Sequence, residues 1–184
     1  MRKPITRYEM NIYRIKRERK EVFSDLPIEL KSINYDNLSG VAELRGGSRY
    51  KEFKRLLIEN KSFGIVAFYE GKIVGYGWGK LRGAYDRFYK INHDGYIGSI
   101  YVLPDLRGHN IAAVVIQELL NVFNEKYGIE ACFASIENNN LASKHTFAKI
   151  GMRLIDRKIV FRAFKLTIPK YRYFKEKKYE YISM

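Results

Sequence analysis

Four consecutive residues, Arg107-Gly108-His109-Asn110, stand between a strand-like run ending at Val102 and Pro104 and an amphipathic run that starts at Ile111. The first backbone N–H groups of a helix have no intrahelical partner and carry partial positive charge. Gly108 lets the chain approach a ligand closely, and Arg107 adds a fork of donors beside it. The chemistry expected of this stretch is the binding of a phosphate or pyrophosphate. A second strand-like run, IEACFASIE, leads into NLASKHTFAKIGM, so two strand-to-helix turns follow one another in the chain.

These turns need elements to hold them. Ser48 precedes RYKEFKRLLIEN, whose Phe53, Leu56 and Leu57 share one helical face, so a helix over about 49–60 is expected within a segment, 21–62, that reads as mainly helical. FGIVAFYE and KIVGYGWGKLRG, separated by the turn EGK, read as a hairpin. After the loop GAYDRFYKINHDG comes the strand YIGSIYVL, ended by Pro104. The next helix carries Ile111, Val114, Val115, Leu119 and Phe123 on one stripe and stops at Gly128. The asparagines of NNNLASK suit the cap of a helix ending at Gly151, and RLIDRKIVFRAFKL alternates like a strand. The order of elements predicts an α/β layer with a mixed sheet, in which the strands around 97–136 run parallel.

At 184 residues the chain suits one domain, with a core that removes roughly 70% of its unfolded surface from water. Apolar residues make up 46% and aromatics 15%, which excludes a disordered or low-complexity chain. No apolar stretch approaches the roughly 20 residues of a bilayer span, and the basic N-terminus lacks a following apolar region. A cytoplasmic protein without membrane association is expected. The single cysteine, Cys132, cannot form an internal disulfide and reads as a small buried hydrophobe, and no metal is expected. Net charge is +14 and concentrates at the ends: residues 1–20 hold eight Lys/Arg against two Glu, and residues 165–184 hold six against two. The chain therefore reads as a single domain spanning 1–184 with basic extensions at 1–20 and 165–184. Such ends can meet nucleic acid or an anionic surface, or serve as solvated termini. YRYFKEKKYEY interleaves basic and aromatic residues, a weak form of a base-stacking pattern.

The paired motifs resemble the GNAT (GCN5-related N-acetyltransferase) family. In that family a strand ending in Val and Pro precedes Arg/Gln-x-x-Gly-x-Gly/Ala, and a later Asn-x-x-Ala/Ser is followed by an aromatic, Lys, Gly and Phe. Val102 and Pro104 match the strand end, Arg107 the first motif position, Gly108 the glycine that often follows it, and Ala112 the last position. Asn140 and Ser143 match the second motif, with Phe147, Lys149, Gly151 and Met152 after them. Two departures stand out. Asn110 replaces the middle glycine, and Phe147 stands where many members carry a Tyr that protonates the leaving thiolate.

The resemblance implies a mixed, mostly antiparallel sheet with a central splayed parallel strand pair and helices on both faces. It implies an acetyl-CoA (acyl-CoA)-dependent N-acyltransferase in which a small-molecule primary amine attacks the thioester directly. The cofactor would lie in a wedge between residues 97–103 and 131–137, with its pyrophosphate on the amides of Arg107, Gly108, His109, Asn110, Ile111 and Ala112. The backbone of Ile100, Tyr101 and Val102 would pair with the pantetheine arm, and an N–H near Val102 would polarise the thioester carbonyl. Asn140, Ser143 and Phe147 would flank the same wedge.

The amine must lose its proton before it attacks, which calls for a base or a water chain to one. The strand that often supplies a Glu has none here, so Tyr96, Ser99 and Glu137 are the candidate acid and base groups, with His93 and Asp94 also near in sequence. Acceptor specificity would come from the N-terminal region and the loop 82–95, where Glu43, Arg45, Asp86 and His93, with Trp78 of the hairpin, are the substrate-binding candidates; Arg49, Tyr85, Arg87 and Tyr89 lie among them. Acidic groups suit an amine, while the arginines suit a phosphate or carboxylate on the same substrate. Two other readings stand beside this one: a nucleic-acid-associated or macromolecule-modifying protein that docks through its basic ends, and a non-catalytic coenzyme A binding module. Nucleic acid is the less favoured partner, and a monomer and a homodimer are both compatible with the sequence.

Overall fold

The structure, a computed structural model, describes residues 6–15, 20–84, 91–92, 95–163 and 166–170. Eight strands, β1 (Thr6–Ile15), β2 (Glu29–Ser32), β3 (Ser62–Tyr69), β4 (Lys72–Leu81), β5 (Gly95–Val102), β6 (Cys132–Glu137), β7 (Arg153–Ala163) and β8 (Leu166–Lys170), form one sheet in the order β2-β3-β4-β5-β6-β1-β7-β8. Helices α1 (Leu38–Glu43) and α2 (Tyr50–Ile58) follow β2, α3 (Ile111–Tyr127) joins β5 to β6, and α4 (Leu141–Lys149) joins β6 to β7. Only β5 and β6 run parallel among these neighbours.

Side-chain alternation on the strands divides the core into two layers. On one face Val66, Tyr76 and Trp78 meet Leu38 and Val41 of α1 and Phe53 and Leu56 of α2. Phe53 packs against both Tyr76 and Trp78, with ring centroids 5.2 Å apart in each case. On the other face Ile65, Ala67, Ile97, Ala134 and Ile136 meet Val115, Leu119 and Phe123 of α3 and Phe147 of α4. Gly77 makes this second layer possible, since a Cβ there would sit 2.6 Å from Ile100 Cδ1 and 2.8 Å from Val115 Cγ1.

The parallel pair is short. β5 and β6 hold register over Gly95↔Cys132, Tyr96↔Phe133 and Ile97↔Ala134. At Ser99 the backbone has φ +51, and the β4–β5 register shifts between Tyr76 and Trp78. This is a β-bulge, which bends the strand and increases its twist. Beyond it β5 stays paired to β4 through Val102↔Gly75 and is no longer paired to β6.

Two expectations are corrected. Residues 1–20 do not form an extension throughout, because β1 lies between β6 and β7 and pairs antiparallel with both. Of the eight basic residues in that segment only Arg7 and Arg14 fall within the strand. Met10, Ile12, Tyr13 and Ile15 are buried, so the apolar residues between the charges decide its place. At the other end β8 pairs with β7, and residues 171–184 lie outside the described residues. Residues 21–62 are not mainly helical either: 20–33 is extended and contains β2. Leu26, Ile28 and Leu30 recur every second residue and, with Val22, pack on the core, and Pro27 forbids a helix interior.

The position of β1 has a direct consequence. A chain lacking residues 1–15 is expected to lose cooperative thermal unfolding in a circular dichroism melt, since β6 and β7 each lose a partner; an unchanged Tm would mean that the segment is dispensable.

Candidate functional site

The gap opened between β5 and β6 is flanked by a cavity on each face of the sheet. On the α3–α4 face a cavity of about 480 Å³ runs from Ile100, Tyr101 and Val102 past the 3-10 turn at Pro104–Leu106 to the start of α3. On the α2 face a cavity of about 450 Å³ has Tyr96, Gly98, Ser135 and Glu137 of the sheet in its lining, with Arg49, Glu52 and Arg55 of α2 alongside. Ile100, Asn140, Ser143 and Phe147 line both.

The backbone of β5 is directed into the gap. Leu103 donates its N–H to Val74 O at 2.9 Å, so by strand alternation the N–H and C=O of Val102 point the other way, away from β4. The carbonyl of Val102 accepts from Arg107 Nε at 3.2 Å. Arg107 is thereby fixed beside the turn, with its guanidinium 5.9 Å from the centroid of the Tyr101 ring.

At the turn, Gly108 has φ +97, a conformation that L side chains rarely adopt, and nothing lies within 4 Å of the position its Cβ would take. Asn110 occupies the N-cap of α3 in the left-handed conformation, φ 61 and ψ 10, without a side-chain cap. Of the residues that carry a side chain, asparagine is among those that tolerate this region best. Its amide does other work: Oδ1 accepts from Lys149 Nζ at 2.6 Å, and Nδ2 donates to Phe23 O at 3.2 Å. The turn is thus tied to α4 and to the extended segment after β1. The same segment reaches His109, whose carbonyl accepts from Ser24 Oγ at 2.9 Å and whose ring lies 3.6 Å from Asp25.

Helix α4 is set by Asn140, which accepts from the Ser143 N–H at 3.1 Å as its N-cap. Next to it, Asn138 accepts from Asn11 Nδ2 at 3.0 Å and from Lys144 Nζ at 2.8 Å. One side chain therefore links β1, the end of β6 and α4. Phe147 is 4% exposed and carries no acidic proton.

Of the residues expected to bind the cofactor, Ile100, Tyr101, Val102, Arg107, Gly108, Asn110, Ile111, Ala112, Asn140, Ser143 and Phe147 come together around the first cavity. His109 does not line it and turns toward Asp25. Tyr96, Ser99 and Glu137 meet in the second cavity. The acceptor candidates fare differently. Trp78 is fully buried beneath Phe53 and cannot touch a substrate, because the α2 helix covers that stretch of β4. Glu43 is exposed on α1 and accepts from Ser39 Oγ at 3.3 Å, outside both linings. Arg45 is outside both as well, its guanidinium 5.4 Å from the centroid of the Tyr101 ring. Asp86 and His93, like Tyr85, Arg87, Tyr89 and Asp94, lie outside the described residues.

Sequence reading missed Glu52, Arg55, Lys80 and Ser135. Arg49, Glu52 and Arg55 recur at three-residue spacing on one side of α2, which is the signal for the first two. Lys80 lies two residues beyond Trp78 on the same strand face, and it is 3% exposed, with Nζ 5.8 Å from the centroid of the Tyr96 ring. A lysine in an aromatic stripe is itself a signal. Nearby, burial pushes the Tyr76 phenol above its usual value, an effect only partly opposed by Arg45.

The model of the acetyltransferase (GNAT) family matches residues 28–152, leaving β1, β7 and β8 outside the match. No curated protein matches in sequence. Similar solved structures include the aminoglycoside antibiotic 6'-N-acetyltransferase of Acinetobacter haemolyticus, at 18% identity and TM-score 0.58 over 78% of this chain and 98% of that one. An aminoglycoside N-acetyltransferase in complex with CoA aligns at 15% identity and TM-score 0.58 over 79% and 95%. A predicted acetyltransferase of Clostridium acetobutylicum with acetyl-CoA aligns at 18% and TM-score 0.53 over 68% and 90%. At these identities the likeness establishes the fold.

The clamp at Asn110 separates backbone from side-chain effects. Asn110→Val is expected to cost about 1–2 kcal/mol in urea unfolding, the price of a left-handed backbone for a β-branched residue. Asn110→Gly keeps the backbone and loses the Lys149 and Phe23 contacts, so it should cost less. For Tyr76, both folded and unfolded phenols keep their protons below the ordinary value of 10.0; above it the unfolded state ionises first and stability falls as pH rises. Tyr76→Phe should lessen that alkaline loss relative to the parent chain, measured as Tm against pH.

Proposed function

The chain belongs to the acetyltransferase (GNAT) family, and on that premise we propose that it transfers an acetyl group from acetyl-CoA to the primary amine of a small molecule by direct attack. The observation that carries this reading is the pair of cavities meeting at Ile100, Asn140, Ser143 and Phe147 across the gap between β5 and β6. Two substrates entering from opposite faces of the sheet have their reacting groups brought together there.

The residues on the α3–α4 face suit coenzyme A. The unpaired N–H groups at the start of α3, the open space beside Gly108 and the cations Arg107 and Lys149 together suit a pyrophosphate. The apolar floor of Ile100, Ile111, Ala113 and Ile116 suits the pantetheine arm. Acetyl-CoA bound there supplies an activated thioester carbonyl. The Val102 N–H, directed into the gap, donates to that carbonyl as negative charge develops on its oxygen.

On the opposite face Glu137 is the base. It lines the acceptor cavity at the end of β6, on the same strand face as Ser135. The ammonium of the acceptor gives its proton to Glu137, directly or through water, and the neutral nitrogen forms the new C–N bond as the C–S bond breaks. Ser99 lies at the bulge, near the junction of the cavities. Phe147 cannot return a proton to the leaving thiolate, so Tyr96 or water does so. Holding both partners in line contributes much of the acceleration, which makes a single weak acid tolerable.

Acetyl-CoA is expected to raise the Tm of the full chain, and Gly108→Val to abolish the shift; a shift of equal size in the variant sinks the cofactor assignment. Glu137→Gln is expected to lower kcat by about 10²-fold or more while leaving the acetyl-CoA shift intact. Unchanged kcat in that variant places the base elsewhere.

A further inference from the structure

Residues 20–28 form an extended segment that ends where the match to the family begins. Its exposure alternates along the chain: Val22, Ser24, Leu26 and Ile28 are half-buried, while Glu21, Phe23, Asp25 and Pro27 are exposed. Val22, Leu26 and Ile28 pack on the core, which sets the odd-numbered side chains outward. The segment runs from the end of α4 to the turn before α3. At one end the Lys20 N–H donates to Ile150 O at 3.4 Å, and Gln117 Nε2 of α3 donates to Lys20 O at 3.0 Å. At the other, Ser24 Oγ donates to His109 O at 2.9 Å.

Phe23 stands between these anchors. Its carbonyl accepts from Asn110 Nδ2 at 3.2 Å, and Oδ1 of the same Asn110 accepts from Lys149 Nζ at 2.6 Å. Asn110 and Lys149 line the α3–α4 cavity, and Phe23 stands outside that lining, one hydrogen bond beyond it. It is 75% exposed, the most exposed large hydrophobic side chain among the described residues. Asp25, on the same outward side, is engaged by the turn, with Oδ1 3.5 Å from Asn110 Nδ2 and Oδ2 3.6 Å from His109 Nδ1. The uncharged ring is therefore held beside the phosphate-binding turn with solvent over it.

The groups of coenzyme A follow one another in a fixed order: thiol, pantetheine arm, pyrophosphate, ribose and adenine. With the arm along Ile100 and Val102 and the pyrophosphate at Gly108, the nucleoside leaves the cavity past Asn110 and Lys149, on the side where Phe23 stands. We infer that Phe23 is a stacking platform for the adenine of the acyl donor. The inference rests on the coenzyme A assignment above and adds to it a residue from the N-terminal segment. A purine offers a flat π-face that stacks on an aromatic side chain without regard to charge, so the ring suits the base, while the cations beside it suit the phosphates.

The test compares two ligands by calorimetric titration of the full chain: CoA, which carries the whole nucleotide, and 4'-phosphopantetheine, which ends before the adenosine. Phe23→Ala, at an exposed position, is expected to raise the Kd for CoA about tenfold and to leave that for phosphopantetheine unchanged. Phe23→Trp should keep the affinity for CoA. Trp78, the single tryptophan of the chain, is fully buried, so the indole introduced at position 23 reports separately, and CoA should quench its fluorescence while phosphopantetheine does not. An unchanged Kd for CoA in Phe23→Ala overturns the inference and leaves the coenzyme A assignment standing. An equal loss for both ligands overturns it too, because the segment then acts on the turn at Asn110 and not on the base. Absence of CoA binding by the parent chain overturns the assignment and the inference with it.

Discussion

Everything functional in this chain depends on one discontinuity, the separation of two parallel strands after a few paired residues. A parallel pair normally continues its ladder until a turn ends it. Here Ser99 takes a left-handed backbone and inserts an extra residue against β4, so β5 keeps its antiparallel partner and gives up β6. The backbone groups released on that side cannot stay buried without partners. The strand break thereby leaves an open edge inside an otherwise continuous sheet.

Holding such a gap open requires rigid material on both sides. On the β5 side, Gly77 lets α3 seat directly on β4, with Ile100 and Val115 filling the space a side chain would need. On the β6 side, the rigid partner is β1, which pairs along β6 from Met10↔Glu137 to Ile15↔Cys132. Asn138 then joins β1 to α4, and Asn110 joins α4 to the turn before α3 through Lys149. The extended stretch after β1 crosses to the same turn through Ser24 and Phe23. The N-terminal segment, lying outside the part of the chain that matches the family, thus braces both ends of the wedge.

The two faces of the gap have different electrostatic characters. The α3–α4 face gathers a helix N-terminus with Arg107 and Lys149 and suits anionic phosphates. The opposite face mixes Arg49, Arg55 and Lys80 with Glu52 and Glu137. Their common wall is apolar at Ile100 and Phe147, where a low dielectric strengthens each polar contact.

Local pattern was sufficient for the hairpin, for α3 with its stop at Gly128, for the Asn140 cap of α4 and for the tight turn before α3, because each rests on neighbours in sequence: apolar periodicity, a capping side chain, a residue able to adopt positive φ. Most of the residues named from the paired motifs, though not His109, line the α3–α4 cavity. Sequence could not decide where β1 lies, since its burial on both sides comes from β6 and β7, more than a hundred residues away, while its flanking charges read locally as a solvated end. Nor could it decide which polar residues line the cavity on the α2 face. Trp78 and Lys80 share one strand face two residues apart, yet α2 covers the first and leaves the second at the cavity, and Glu52 and Arg55 reach it because Phe53 and Leu56 dock the adjoining side of that helix on the sheet. Alternation fixes the side of a strand on which a residue stands; what lies over that side is fixed by packing between elements distant in the chain.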